Sequence, residues 1–168
     1  MPTFVKIKRL RDLDFGQVEF YSLSVDEEDD TEFEAFLKKH KDIADIKDDF
    51  QNLLAFIKTI AVDGADERFF RFEENAQAIP GKSRIPYFQM DSKHQIRIYC
   101  LRLSERVVFL FNGGIKTNQD PKKCKNCSLH FSNAQTFAKA INGLVKEGEI
   151  LIDSDSEKVV HFPNEFVI

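Results

Sequence analysis

The sequence has no tryptophan, only three cysteines among its 168 residues, and no long apolar run. Because three is an odd number, it predicts free thiols or a metal site rather than a framework of disulfide bonds. A membrane-spanning helix needs about 18 consecutive apolar residues, and no stretch approaches that length. The amino-terminal segment is too often interrupted by charged residues to be a secretory signal. We therefore expect a soluble cytoplasmic protein that does not contact a membrane.

The length and the composition of the chain favour one folded domain over residues 1–168. Hydrophobic residues make up 42% of the sequence and charged residues 31%, which is typical of folded globular proteins. No internal repeat, linker or low-complexity tract marks a domain boundary. Seventeen phenylalanines predict a core built mainly from phenylalanine side chains.

Charge is distributed unevenly along the chain, although the net charge is only −4. Residues 26–75 contain 16 acidic and 7 basic side chains, a net charge of −9, whereas residues 82–125 contain 3 acidic and 10 basic side chains, a net charge of +7. Such a separation favours an anionic ligand on the basic part, or an acidic segment that masks it. Two ordinary solvated faces would give the same pattern.

The first half of the chain predicts two strands followed by two helices. Strands are expected over residues 3–7 and 17–25. Thr31 and Glu34 form a capping box that begins the first helix. Apolar residues spaced three and four apart over residues 43–61 predict the second helix, and Asp63-Gly64 ends it. We expect the two helices to form an αα-hairpin that covers a sheet with its apolar stripe.

The second half of the chain predicts mainly antiparallel strands. A short strand is expected within "ERFFRFEEN", residues 67–75, and an edge strand at residues 85–90. A hairpin follows over residues 95–103 and 107–111 and ends at Gly113-Gly114. Ser132 and Gln135 predict a second capping box at the start of a final helix, before a small hairpin around residues 153–156. This order of elements predicts the α+β class, with the helices on one face of an antiparallel sheet.

Basic residues lie close together on the predicted central hairpin. Arg97 and Tyr99 alternate with apolar residues, so their side chains share one face of the first strand. Lys116 follows the second strand, and Arg84 would approach from the neighbouring one. We expect these four side chains to converge on one exposed patch. Ordinary solvated surface would carry the same residue types.

The hairpin segment "QIRIYCLRLSERVVFLFNGGIKT", residues 95–117, resembles the RelE/HigB/ParE superfamily of type II toxins. In that pattern a strand holding an arginine is followed by a turn, an apolar strand and a lysine-rich loop. The stretch "ERFFRFEE" stands where the superfamily usually has an earlier strand, and the resemblance covers about residues 17–145. It implies an αα-hairpin packed on a twisted antiparallel sheet, followed here by a C-terminal helix and a short appendage.

The resemblance implies a toxin that a cognate antitoxin, a helix-turn-helix protein, neutralises. Many members of the superfamily cut mRNA on the ribosome without a metal or other cofactor, and some related members act on gyrase. In metal-independent cleavage the 2′-hydroxyl attacks phosphorus while negative charge grows on the phosphoryl oxygens, and fixed cationic groups stabilise that charge. The implied catalytic residues are Arg97, which would clamp the phosphate, Tyr99, which would stack on a base or assist proton transfer, Lys116 and Arg84.

Two features depart from the superfamily. Its toxins are usually shorter and strongly basic, whereas this chain is net acidic and continues after the last predicted helix. Affinity for RNA rests largely on lysine and arginine contacts to phosphate, so the acidic helices would have to face away from the RNA. A second interpretation is therefore a noncatalytic binding module of the same fold, whose basic segment docks an acidic protein partner.

Cys124, Cys127 and His130 form a C-x2-C-x2-H cluster. Two thiolates and an imidazole would supply three ligands of a zinc site in a small zinc-stabilised regulatory domain. A loop with free thiols is the alternative, since a single C-x2-C is a weak signal. A thioredoxin-like redox role is disfavoured, because that motif opens a helix and the predicted helix starts only at Ser132.

Overall fold

The computed structural model describes residues 1–81, 95–117 and 120–168. Within these ranges the strands are β1 Phe4–Arg9, β2 Glu19–Val25, β3 Arg71–Glu73, β4 Ala76–Ile79, β5 Ile96–Ser104, β6 Val107–Ile115, β7 Leu151–Ile152, β8 Val159–His161 and β9 Glu165–Val167. The helices are α1 Glu32–His40, α2 Lys47–Asp63 and α3 Ser128–Lys146. In the described ranges, no helix is both long and apolar enough to span a membrane. The predicted edge strand at residues 85–90 and Arg84 lie outside the described residues.

One large sheet has the strand order β3-β4-β5-β6-β2-β1-β9, and β7 pairs with β8 in a separate ribbon. The central pair β2-β6 is parallel, with Glu19 opposite Val107 and Tyr21 opposite Phe109. The other pairs in the described part of the sheet are antiparallel. The prediction of an antiparallel sheet is therefore wrong, and the sheet is mixed. A parallel pair needs a long crossover connection, and the chain between β2 and β6, which includes α1 and α2, provides it.

Helices cover both faces of this sheet. On one face, Ile98 and Leu110 belong to the buried cluster that α1 and α2 complete. On the other face, Tyr99 and Phe109 belong to a second cluster, which includes Phe137 of α3. Alternate residues of a strand point to opposite faces, and here both sets are apolar, so each face needs a cover. The α+β class is confirmed, but the prediction that the helices lie on one face is wrong.

The predicted start of α1 and the predicted end of α2 are confirmed, whereas α2 begins at Lys47 rather than near residue 43. At the start of α1, the Glu34 N–H donates to the Thr31 hydroxyl at 3.2 Å, and the Thr31 N–H donates to the Glu34 carboxylate at 3.4 Å. This reciprocal pair is the predicted capping box. α2 ends at Gly64, whose φ of 113° favours glycine, and its buried stripe contains most of the predicted apolar residues.

The second hairpin strand continues through Gly113-Gly114 instead of ending there. A Cβ atom on Gly113 would overlap the backbone carbonyl of Arg97, and one on Gly114 would overlap the backbone carbonyl of Asn126. The glycines are therefore needed for close approach of neighbouring backbone rather than for a turn. As a result β6 reaches Ile115, and the segment before α3 packs directly on it.

α3 begins at Ser128 and not after Ser132, so the second predicted capping box is wrong. The side-chain amide of Gln135 binds the β3-β4 turn instead. Its oxygen accepts hydrogen bonds from two backbone N–H groups of that turn, at 2.7 and 3.0 Å, and its nitrogen donates to the carbonyl of Glu73. Gln135 therefore makes a tertiary contact instead of the local helix cap that the sequence pattern predicts.

Candidate functional site

Arg97, Tyr99 and Lys116 lie at one end of the sheet, on or beside the paired ends of β5 and β6. Arg97 is opposite Gly114 in the ladder, and the Lys116 N–H donates to the Gln95 carbonyl at 2.7 Å. Arg97 is close enough to the other two residues to change the pKa of both. The structure therefore brings these three residues together, whereas Arg84 lies outside the described residues.

The start of α3 covers two of these side chains. Arg97 is 2% exposed and Tyr99 is fully buried, whereas Lys116 is half-buried. The ring of Phe131, in the first turns of α3, packs edge-on against the Tyr99 ring with 5.8 Å between centroids. The prediction that Arg97 and Tyr99 are exposed is wrong, because α3 starts early enough to cover their face of the sheet.

Arg71 also lies near Arg97 and Lys116, although no sequence pattern predicts that it belongs to this site. Arg71 is opposite Ala78 across the β3-β4 pair, and Ala78 is opposite Tyr99 across the β4-β5 pair. The intervening β4 thus aligns the arginine with the central hairpin. Its guanidinium forms an ion pair of 2.7 Å with the buried Glu73 carboxylate. Only the pairing of three strands shows this proximity, since the spacing along the chain carries no signal of it.

We call Arg71, Arg97 and Lys116 the cationic cluster. Burial and the positive charges of Arg97 and Arg71 lower the pKa of Lys116, and the Asp49 carboxylate offsets part of this effect. Like charges that crowd each other in this way disfavour protonation of the amine. The cluster therefore combines fixed positive charge with a lysine that loses its proton more easily than an exposed one.

Tyr99 is a neutral phenol at ordinary pH. Burial and the nearby Cys127 thiol raise its pKa well above the usual value, and the Arg97 guanidinium offsets only part of this effect. No hydrogen bond of standard geometry from the described residues reaches its hydroxyl, although Arg97 and Cys127 are its neighbours. A buried phenol of this kind cannot stack on a base, and it holds its proton too firmly to act as a general base.

Two buried thiols lie beside the cluster, at the beginning of α3. The Cys127 N–H donates to the Cys124 carbonyl at 3.2 Å, which closes a turn that continues into the helix. The Thr117 N–H donates to the Cys124 sulfur at 3.4 Å, and both sulfurs approach the Ile115 carbonyl, at 3.5 and 3.7 Å. All three cysteines are free.

His130 follows these thiols in the first turns of α3. Burial, Lys39 and His40 lower its pKa, which places its ring near the C-terminal end of α1. Among the described residues, no group of three or more His, Cys, Asp or Glu side chains is arranged to hold a metal ion. Cys124 and Cys127 therefore form a pair of thiols, and the zinc site with His130 stays a prediction.

Acidic groups border the cluster on the side of α2. Asp45, Asp48 and Asp49 line a surface depression next to Gln95, and Asp49 accepts a hydrogen bond from the Gln95 N–H at 2.8 Å. Lys116 thus lies at the boundary between a positive and a negative surface. A ligand with negative charge would have to approach from the side of Arg71 and away from the start of α2.

Comparisons with known proteins do not add to this description. A scan against protein-family models found no match, and neither did searches of the curated proteins and of the solved structures. The resemblance to the RelE/HigB/ParE superfamily therefore stays a prediction from the residues quoted above.

Proposed function

We propose that this chain is a RelE/HigB-like toxin of a type II toxin-antitoxin system, which binds an RNA phosphodiester at the cationic cluster and cleaves ribosome-bound mRNA without a metal. One observation carries the proposal. Burial and the nearby charges of Arg97 and Arg71 lower the pKa of Lys116, and an anion bound beside these cations would relieve their repulsion. The partly exposed Lys116 and Arg71 can also donate to phosphate oxygens.

The three cations have different roles in this proposal. Lys116 and Arg71 are partly exposed and would contact the phosphate directly. Arg97 is buried, so its charge would act from below through a medium of low dielectric constant, where electrostatic stabilisation of a developing oxyanion is strong. With its lowered pKa, the Lys116 amine loses its proton more easily than that of an exposed lysine. Tyr99 would support Arg97 by packing rather than touch the RNA.

The proposed antitoxin would cover the same end of the sheet. A helix or an added strand with acidic side chains would pair with Lys116 and Arg71 and exclude RNA by competition. Growth arrest by the chain alone, relieved by expression of a small neighbouring gene, would support this partner.

Replacement of the exposed cations tests the proposal. We expect Lys116→Ala and Arg71→Ala each to lower the rate of RNA cleavage by about 10²-fold, because each removes one donor to the developing oxyanion. Growth arrest should weaken accordingly. Lys146→Ala is the matched control, since Lys146 is exposed at the far end of α3. A folded double variant that arrests growth and cleaves RNA as well as the unchanged protein would contradict the proposal.

Burial of Arg97 and Tyr99 favours a second candidate, a noncatalytic module that binds an anionic partner at the same cluster. Such a module would bind in a salt-sensitive manner through Lys116 and Arg71 but leave the RNA intact. Binding assays run beside cleavage assays on the same variants distinguish the two candidates.

A further inference from the structure

The two cysteines of the C-x2-C segment stand in the turn that opens α3. β6 ends at Ile115, the segment 124–127 follows after a short connection, and Ser128 is the first helical residue. A dithiol in this position lies at the positive end of the helix dipole, which favours the thiolate form. The helix starts earlier than the sequence pattern predicts, so the position of the two cysteines no longer argues against a redox role.

We propose that Cys124 and Cys127 form a redox-active dithiol, which closes to an intramolecular disulfide by exchange with low-molecular-weight disulfides such as oxidised glutathione. The Cys124 thiolate attacks one glutathione sulfur, which forms a mixed disulfide and releases one glutathione thiolate. That thiolate takes the Cys127 proton. The Cys127 sulfur then attacks the Cys124 sulfur, forms the internal bond and releases the second glutathione, which takes the proton that Cys124 lost. The chain loses two electrons and two protons, and one glutathione disulfide becomes two glutathione thiols.

The backbone geometry brings the two sulfurs within reach of each other. The hydrogen bond of 3.2 Å from Cys127 N–H to the Cys124 carbonyl closes a four-residue turn, in which the end Cα atoms are less than about 7 Å apart. A disulfide spans Cα distances of about 4.4 to 6.8 Å. Both sulfurs approach the same carbonyl, that of Ile115, so they also share one direction.

The two thiols differ in the way that an attacking and a resolving thiol should differ. Although burial opposes ionisation of Cys124, hydrogen bonds from Cys127 and from the backbone N–H groups of Thr117 and Asn126 lower its pKa to about 7. Burial and the neighbouring Cys124 raise the pKa of Cys127 to about 12. The Thr117 N–H also donates to the Cys124 sulfur at 3.4 Å, which stabilises a thiolate there, so Cys124 is the thiol that attacks an external disulfide and Cys127 the thiol that resolves the adduct.

A thin layer of residues separates the Cys124 sulfur from solvent. Cys124 itself is buried, but Thr117, Lys123 and Lys125 around it are exposed. Two hydrogen bonds hold this layer, from Thr117 N–H to the Cys124 sulfur at 3.4 Å and from Lys125 N–H to the Thr117 hydroxyl at 3.1 Å. Opening these two bonds is a local event that exposes the sulfur without unfolding the sheet. The flanking lysines would attract the carboxylates of glutathione.

Cys100 provides an internal control. It lies on the opposite face of the sheet, in the cluster under α1 and α2, and burial raises its pKa well above the usual value. A buried thiol with a raised pKa is unreactive while the protein is folded. Cys100→Ser therefore leaves a background in which the only two thiols are those of the proposed dithiol.

The test exposes folded Cys100→Ser protein to buffers of reduced and oxidised glutathione, followed by alkylation and intact-mass measurement. We expect a reversible species that is lighter by two hydrogens and carries no alkyl group. In the same background, Cys127→Ser should accumulate a glutathione adduct at Cys124 at least about tenfold faster than Cys124→Ser forms one at Cys127. Circular dichroism checks that each variant is folded.

Three results would overturn the proposal. The two thiols could stay fully alkylatable in excess oxidised glutathione, the two single-cysteine variants could form adducts at the same rate, or the purified protein could hold stoichiometric zinc at these thiols and resist oxidation. The proposal is independent of RNA cleavage, since neither RNA nor growth arrest enters the measurement.

Discussion

Lys116 is the residue of the cationic cluster whose charge lowers the stability of the fold and whose amine would bind the RNA phosphate. Its ammonium group is partly buried beside two guanidinium groups, which lowers its pKa, so charging it costs more in the folded than in the unfolded chain. We predict that Lys116→Met raises the midpoint of urea unfolding at pH 7 while it lowers RNA cleavage by about 10²-fold.

The control for this prediction is Lys146→Met on the exposed end of α3, which should change neither quantity by much. If the urea midpoint falls in Lys116→Met and stays constant in the control, other groups of the folded protein stabilise the charged Lys116 amine, and the prediction is wrong.

Tyr99 is expected to matter for packing only. Its ring fills the space between β5 and Phe131, and its hydroxyl finds no hydrogen bond of standard geometry among the described residues. We predict that Tyr99→Phe changes the free energy of unfolding by less than about 1 kcal/mol and keeps RNA cleavage within a factor of about three. Chemical unfolding and cleavage of the same preparation check this, and a folded but inactive variant would show that the phenol is used.

The residues of the site could be predicted from the sequence only in part. Strand alternation and the hairpin register place Arg97, Tyr99 and Lys116 together, and the structure agrees. The burial of Arg97 and Tyr99 could not be predicted, because it depends on the residue at which α3 begins, just after the segment that contains Cys124. Arg71 lies beside the cluster because β4 pairs with both β3 and β5, and no local sequence pattern predicts this pairing.

At the scale of elements, Gly114 couples β6 to the turn that carries the thiols. A side chain there would overlap the backbone carbonyl of Asn126, whereas Gly143 in α3 has open space around its Cα. We predict that Gly114→Ala destabilises the fold by about 1–3 kcal/mol, while the control Gly143→Ala is neutral or stabilises it by up to about 1 kcal/mol. Equal effects of the two substitutions on chemical unfolding would contradict the close approach of β6 and this turn.

Element boundaries show when a local pattern is decisive. The Thr31-Glu34 pair caps α1 as predicted, and each side chain accepts a hydrogen bond from the backbone N–H of the other residue. The Ser132-Gln135 pair has the same spacing, yet the glutamine binds the β3-β4 turn and the helix extends past the serine in the N-terminal direction. Sequence spacing does not distinguish these two cases, since the competing partner lies about 60 residues away in the chain.

At the scale of the whole molecule, the buried His40 of α1 and the half-buried His130 of α3 lie near each other. His40 at the end of α1 and His130 in the first turns of α3 are close enough to interact, and burial lowers the pKa of each below the ordinary 6.5. Each therefore binds fewer protons in the folded than in the unfolded chain between its folded pKa and pH 6.5. Stability should be constant above that window and fall as the pH drops through it.

We predict that the urea midpoint decreases from pH 7.5 to about pH 5.5 and that this decrease is smaller in His40→Gln/His130→Gln. Urea titrations at several pH values measure both proteins. A flat profile for the unchanged protein would show that the histidines are not held neutral by the fold.

The α+β class of the whole molecule could be predicted, but its layering could not. The order of strands and helices indicates the class. The parallel β2-β6 pair and the placement of α3 on the second face depend on how the long connection crosses the sheet, which no single segment encodes.

In the proposed function, Arg71, Arg97 and Lys116 form a binding site for a phosphodiester. An NMR titration of the Lys116 side chain, with and without a non-cleavable 2′-deoxy oligonucleotide, is the most direct test of this site. We expect the pKa of Lys116 to lie below the ordinary lysine value in the free protein and to rise when the oligonucleotide binds, because the anion favours the charged amine. An ordinary pKa that the oligonucleotide does not change would contradict the proposed site.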